Sequence, residues 1–394
     1  MLRGREVTVL GAGIAGLAVA TALAQRGASV RVLEQTRSIR EVGAGLQVSP
    51  NGMAVLAALG VDVTAGQVAE AIVLTDGETA APVTRIDLLA QAPRGQFRFF
   101  HRGDLILALE TAARRSGVDI ALGQKVTEVR LGDNGPRLVT GAGSRVAHIL
   151  IGADGLHSQV RAALNGAQTP IFTGQVAWRA TLPAEPGIAP EARIYMGPGR
   201  HLVSYPLRGG HLRNIVAVEE RRTWVEESWS LTDDPLALRI AFEEFVPEVR
   251  GWLDRIDRPN LWGLFRHPVA ARWHGQGAAI LGDAAHPTLP FLAQGANMAL
   301  EDAWVLAAAL AKAEPEFALA AYQTSREARV RRIVAAANAN ARNYHLSGLK
   351  RDVAHFGLRI ATRLAPHLLA DRFRWLYDHD VTQSQADPSS ANLS

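Results

Sequence analysis

Three glycines within six residues constrain this chain more than any other feature. Gly11-x-Gly13-x-x-Gly16 follows the apolar run Glu6–Leu10 and opens an Ala- and Leu-rich stretch, residues 17–26, that closes at Gly27. A strand, a glycine turn and a helix in that order make the first half of a βαβ unit. Gly11 permits the tight turn, Gly13 lets backbone approach a pyrophosphate, and Gly16 lets the helix pack close on the strand. The helix N-terminus then turns free N–H groups and a partial positive charge toward phosphate. Residues 28–33 read as the second strand. It ends at Glu34, where a carboxylate can accept hydrogen bonds from a ribose diol. The same stretch, residues 7–24, also imitates a signal peptide or a membrane span, because it follows Arg3 and Arg5. Its length is marginal for a span, and three glycines are out of place in a signal sequence, so the strand–turn–helix reading is preferred. The expectation is a soluble, cytoplasmic protein without a membrane partner.

Composition removes several alternatives. Hydrophobic residues make up 48% and charged residues 20% of the 394 positions, which is globular rather than disordered. At roughly 150 residues per domain, that length gives two or three domains, or one large α/β domain with an insertion. Cysteine is absent, which excludes disulfide frameworks, thiolate nucleophiles, Cys-ligated zinc and iron–sulfur clusters. Lys+Arg 42 against Asp+Glu 38 leaves +4, dispersed along the chain, so no nucleic-acid footprint is expected.

Along the chain the pattern changes twice. From about residue 175 to 220 it alternates and turns (Gly197-Pro198-Gly199, Arg208-Gly209-Gly210), as antiparallel strands do. From about residue 277 the α/β pattern returns: an apolar strand at 278–281, Gly282-Asp283, then a helix from near Ala296, with Ala-rich helix from 301 to about 341. The fold class read from this is α/β: a Rossmann-like dinucleotide-binding domain interrupted by a mixed β-sheet substrate domain, with a helical C-terminal region. The expected boundaries are 1–75, 101–170 and 270–320 for the first domain. The substrate domain takes 76–100 and 171–269, the helical region 321–382, and a disordered tail 383–394.

The glycine motif alone does not separate FAD from NAD. Gly152-Ala153-Asp154-Gly155 follows a second apolar strand and Gly282-Asp283-Ala284-Ala285-His286-Pro287 a third. A carboxylate just past a buried strand can cap the next helix, or it can accept from a polyol such as the ribitol found in FAD. Two such motifs, plus glycine at Gly295 before a helix, favour an extended FAD. A second glycine-rich motif is missing, which fits a hydride donor that binds briefly and leaves.

These motifs together resemble the flavoprotein aromatic hydroxylases, the family of p-hydroxybenzoate hydroxylase. The wording is closest to the branch with salicylate hydroxylase, 3-hydroxybenzoate 6-hydroxylase and 6-hydroxynicotinate 3-monooxygenase. The resemblance runs from Val7 to about Thr382. It includes Val42-Gly43-Ala44-Gly45-Leu46-Gln47, His101-Arg102-Gly103-Asp104-Leu105, Ala293-Gln294-Gly295-Ala296-Asn297 through Asp302, and the words Tyr344-His345-Leu346-Ser347-Gly348 and Trp375-Leu376-Tyr377. It implies a single-component FAD-dependent monooxygenase that uses NADH or NADPH and O2. Through a flavin C4a-hydroperoxide, such an enzyme hydroxylates a small aromatic or heteroaromatic phenol or hydroxy-acid. A homodimer is a further family expectation. The alternatives are a related dehydrogenase or epoxidase, and a catalytically silent flavin-binding regulator.

By the same resemblance, Glu34 would bind the adenosine ribose, Gln35 would be a further cofactor contact, and Ala15, Arg102 and Arg40 would serve the pyrophosphate region. Val126 would meet the adenine, Asp283 the ribitol, and the backbone of Gly295, Ala296 and Asn297 the flavin edge. Asp154 and Pro287 fall in segments that line the flavin, and Val42 and Gly43 in the loop that would let it move. The plainer reading of Asp154 is a helix cap.

On the substrate side, residues 201–206 read as a strand, so His201, Val203 and Tyr205 share a face. A hairpin turn at Gly209-Gly210 would set Tyr205 opposite Asn214 and His201 opposite Val218. In the closest branch a histidine and a tyrosine at this spacing line the substrate pocket, and the histidine helps deprotonate the phenol. Imidazole chemistry suits that task. The plain reading is a packed strand histidine. Gln47, Asn214 and Phe291 complete the expected pocket. The chain departs from its relatives at Pro290, where the 3-hydroxybenzoate enzyme has a substrate-contacting glutamine. Arg179 and Arg213 are candidates for a carboxylate-binding arginine, with solvated surface as the plainer reading of each. His345 is expected to be structural. Asp378-His379-Asp380 resembles a metal site only superficially, because adjacent side chains point apart.

Overall fold

In the computed structural model, residues 2–39, 45–91, 96–221, 232–364 and 373–383 are described. The segment that imitates a signal peptide is the strand Glu6–Leu10 and the helix Ile14–Ala24, and among the described residues no helix is long and apolar enough to cross a membrane. The strand is the third from one edge of a parallel sheet. The order across it is Asp119–Ala121, Ser29–Leu33, Glu6–Leu10, Ile149–Gly152, Ala278–Ile280 and His274–Gly275, with only the last pair antiparallel. Its strands are short continuous apolar runs because helices cover both faces. The three carboxylates Glu34, Asp154 and Asp283 therefore all stand just past the C-terminal ends of neighbouring strands. In open α/β sheets that is where ligands bind.

A second sheet of seven strands stands beside the first. Its order is Asn260–Arg266, Ile171–Pro183, Leu212–Glu220, Arg200–Leu207, Glu191–Gly197, Ala71–Asp76 and Pro82–Asp87. All its pairings are antiparallel except that of Ala71–Asp76 with Glu191–Gly197. Side chains alternate across it. Trp178, Tyr195, Leu202, Ile215 and Ala217 face the helices Pro235–Ala241 and Pro247–Asp254 and form a core with Phe242 and Trp252. The expected hairpin register holds, with Tyr205 opposite Asn214 and His201 opposite Val218. The turn is wider than expected, since Arg208, Gly209 and Gly210 all take positive φ. The boundary drawn at residue 75 cuts a strand: Ala71–Asp76 belongs wholly to this sheet. Arg98–His101 instead joins Gly45–Val48 and Gln67–Val68 in a small sheet between the two larger ones. Both are short strands whose partners lie far off in sequence, which local pattern does not reveal.

The helices Gly295–Lys312, Pro315–Tyr344 and Gly348–Leu364 follow. The first carries two fully buried acids. Asp302 accepts from Arg326 Nε at 2.8 Å and from the Gly282 N–H at 3.1 Å, and meets His286 Nε2 at 2.5 Å. Glu301 accepts from Arg329, from Arg326 and from Asn51 Nδ2 at 2.6 Å. Buried acids survive only when paired and hydrogen-bonded. These two tie three elements to the turn that carries Asp283. The tail expected at 383–394 lies outside the described residues from 384 onward.

Candidate functional site

A cavity of about 2120 Å³ runs from the ends of the parallel strands to the face of the seven-stranded sheet. At its first end the glycine turn is built as its spacing demands. Gly11 has φ +99°, and a Cβ there would lie 2.5 Å from the Ala153 carbonyl oxygen. A Cβ on Gly16 would lie 1.9 Å from the Gly11 carbonyl oxygen, while one on Gly13 would point into open space. Gly16 thus serves packing, and Gly13 leaves the cavity wall bare backbone. Gly16→Val is therefore expected to give protein that purifies without bound yellow cofactor, checked as the ratio of 450 nm to 280 nm absorbance.

Glu34 closes this turn. Its Oε2 accepts from the Ala12 N–H and its Oε1 from the Thr36 N–H, both at 2.8 Å. Asp154 divides its two oxygens. Oδ2 accepts from the Gln159 N–H at 2.7 Å, and the cap of the helix Gln159–Asn165 is Ser158. Asp154 Oδ1 is buried with no partner, and burial raises the carboxyl's pKa. Both readings of Asp154 thus have an atom to support them. Arg102, Gln35, Val126, Ala15 and Asp283 all reach the cavity wall. Burial lowers the Arg102 guanidinium, and the charge of Asp283 offsets part of that cost. Gly295 and Ala296 open their helix onto the cavity with unpaired N–H groups in its first turn.

Three expected residues do not line the cavity. The Asn297 side chain is fully buried, and its amide joins the Ser49 N–H to the Gln47 and Ala293 carbonyls, so any contact of this residue with the cavity falls to its backbone. Pro287 is not on the wall, which passes instead through Thr288, Leu289 and Pro290. Asn214 is also off the wall: its Oδ1 accepts from the Gly45 N–H at 2.7 Å and pins that strand beside Tyr205. The two asparagine side chains each find backbone to bond before they find the cavity. Nearby, Arg161 donates to the Ala284, Ala285 and Pro268 carbonyls. Arg40, Val42 and Gly43 lie outside the described residues.

At the other end, His201, Val203 and Tyr205 form the wall together with Phe291 and, across the cavity, Gln47. His201 is 2% exposed, and its ring lies 5.5 Å from that of Phe291 and 5.3 Å from that of Tyr344. Burial, then the charge of His345, pushes the His201 imidazole well below its usual pKa, which favours the neutral ring with a free lone pair. Burial pushes the Tyr205 phenol far up, so it remains a donor.

Two residues set aside on sequence belong to this site. Arg179 is half-buried on the cavity wall rather than on the outer surface. It pairs across the sheet with Val216, which pairs with Val203, so it stands on the same face as His201 and Tyr205. Its guanidinium stacks on Trp262 at 4.3 Å, and no carboxylate pairs with it among the described residues. Burial brings its pKa down to about 10, still charged at neutral pH. His345 stands 2.7 Å from His201, Nε2 to Nδ1. The alternation of the strand 171–183 could have flagged Arg179; His345 carries no such signal, because it meets His201 only through the tertiary fold. Arg213 is tied to Glu185 and Ser204 on the opposite face.

Residues 5–337 match the family described as "FAD binding domain". The chain belongs to the FAD-dependent aromatic hydroxylases. It is 35% identical to a 3-hydroxybenzoate 6-hydroxylase of Polaromonas naphthalenivorans (strain CJ2), covering 95% of this chain and 96% of that one. It is 34% identical to a 3-amino-4-hydroxybenzoate 2-monooxygenase of Streptomyces cremeus, over 87% and 89% of the two chains. Among solved structures, Klebsiella pneumoniae HpxO complexed with FAD and uric acid superposes with a TM-score of 0.81 at 25% identity, covering 93% and 96%. The hydroxylase is a monooxygenase that uses FAD, NAD(P)H and O2 on a small aromatic substrate. Its residues fit FAD: the open wall at Gly13, the unpartnered Asp154 Oδ1 and the unpaired helix start at Gly295 each offer what a flavin dinucleotide requires. When bound, FAD supplies the redox chemistry and the oxygen transfer.

Proposed function

We propose that this hydroxylase acts on a phenol that also carries a carboxylate, seated on the sheet wall against His201 and Phe291. The observation that carries the proposal is Arg179, a charge on the wall of a largely apolar cavity with no acidic partner among the described residues. A half-buried cation without an acidic partner is partly desolvated at a cost, and an anionic ligand offsets that cost. The two relatives named above support this reading, since both are named for hydroxybenzoate substrates. In this reading His201 accepts the phenolic proton, Tyr205 donates to the ring substituent, and Phe291 and Gln47 hold the ring. Along the rest of the cavity, Glu34 and Gln35 take the adenosine ribose and Val126 the adenine. Ala15 and Arg102 take the pyrophosphate, Asp283 the ribitol, and the N–H groups of Gly295 and Ala296 the flavin edge, where a helix N-terminus stabilises negative charge.

The test compares 3-hydroxybenzoate with the neutral 3-hydroxybenzyl alcohol, reading NADH oxidation and the product mass. The acid is expected to gain one oxygen. Arg179→Gln is expected to raise KM for the acid by about 10- to 100-fold, as a charged hydrogen bond worth about 1.5–3 kcal/mol is lost, and to leave the alcohol within about twofold. Equal losses for both compounds would assign Arg179 to the cofactor. No oxygenated product from either would sink the substrate proposal.

A further inference from the structure

Behind His201 the contacts continue to the surface. His201 Nδ1 lies 2.7 Å from His345 Nε2, and His345 Nδ1 lies 2.7 Å from Glu220 Oε1. His345 is buried to 2% of its side-chain surface, whereas Glu220 is 55% exposed. The three residues come from the strand Arg200–Leu207, the stretch after the helix Pro315–Tyr344, and the end of the strand Leu212–Glu220. An ionised carboxylate only accepts hydrogen bonds, and that fixes the whole row. Glu220 accepts from His345 Nδ1–H, so His345 Nε2 bears a lone pair. His201 Nδ1 must then be the donor, which leaves the lone pair of His201 on Nε2, its remaining ring nitrogen, in a residue that lines the cavity.

We infer that His345 and Glu220 form a proton relay that carries the proton taken up by His201 out to solvent, with His345 as a positioning residue rather than a packing one. The inference rests on His201 acting as base, as proposed above. The step balances as one proton in and one proton out. The substrate O–H gives its proton to His201 Nε2, the Nδ1 proton of His201 passes to His345 Nε2, and the Nδ1 proton of His345 passes to Glu220 and on to water. The tautomers are restored when an oxygen in the cavity takes a proton back along the same row. Other groups facing the row are Arg200 beside His201, Gln175 on the neighbouring strand with Nε2 at 3.5 Å from His345 Nδ1, and Tyr344 on the preceding helix. Burial lowers the pKa of His345 and Glu220 partly restores it, so the relay's two imidazoles are neutral at rest. A neutral buried base with no exit would have to keep the proton as an isolated buried charge, which is costly; the relay removes that cost.

The test uses the full-length FAD-loaded enzyme. Ring nitrogens in 15N-histidine-labelled protein are assigned with His201→Gln and His345→Gln. The expected result is a proton on Nδ1 of His201 in the parent, and a changed His201 tautomer balance in Glu220→Gln, although Glu220 does not touch His201. With 3-hydroxybenzoate as probe, kcat is expected to fall about tenfold in Glu220→Gln and further in His345→Gln. Flavin content is expected to be unchanged, and added imidazole to restore part of the Glu220→Gln rate. A His201 protonated on Nε2, or one indifferent to Glu220→Gln, overturns the relay. A parent enzyme that does not oxidise 3-hydroxybenzoate counts against the substrate proposal alone, and the NMR result then decides the relay.

Discussion

Arg326→Met is expected to destabilise the chain by about 3–5 kcal/mol, the usual cost of removing one partner from a buried ion network. Arg326 is 1% exposed and serves both Asp302 and Glu301. Its loss leaves Asp302 with His286 and one N–H, and Glu301 with Arg329 and Asn51. A urea titration reads the effect as a lower midpoint at unchanged slope. The pH dependence has a definite sign. Burial alone would raise the Asp302 carboxyl, but the charges of His286 and Arg326 outweigh it and hold the pKa at about 2. An unfolded aspartate titrates near 3.9. The stabilisation is therefore complete above about pH 4 and is lost as pH falls through about 2. In Arg326→Met the loss is expected to begin at higher pH. An unchanged midpoint in both conditions would show that methionine packing replaces the network at no cost.

His201→Gln is expected to lower kcat by about 10²- to 10⁴-fold, the range for loss of a positioned base. Flavin content is expected to stay at the parent level, since His201 stands on the sheet wall away from the glycine turn. The decisive reading is the pH profile. A phenol ionises by itself near pH 10, so the defect should shrink as pH rises toward that value. A loss of the same size at every pH would mean that the imidazole only fills space beside Phe291 and Tyr344.

Much of this was legible because it is local. The glycine turn, Glu34 at the end of the next strand and the two acids past strands are fixed by the period of two and by turn chemistry, and alternation put His201 beside Tyr205. What stayed hidden depends on partners far away in the chain. Arg179 reads as an ordinary strand arginine until Val216 and Val203 place it on the inner face. His345 has no local pattern, and its role depends on contacts with residues 144 and 125 positions away. Asn214 and Pro287, which do not line the cavity, differ for the opposite reason. A motif names a neighbourhood, but whether a side chain faces the cavity or nearby backbone is settled by packing.

The seven-stranded sheet keeps its two faces on separate accounts. Each strand spells one word for the core, through Tyr195, Leu202 and Ala217, and another for the ligand, through Ile194, Val203 and Val218. Random mutation at the second set can therefore explore new ring shapes with little loss of foldability, which is the latitude a lineage needs to acquire new substrates. Insertion or deletion of a single residue within a strand enjoys no such freedom, because it exchanges the two words at once.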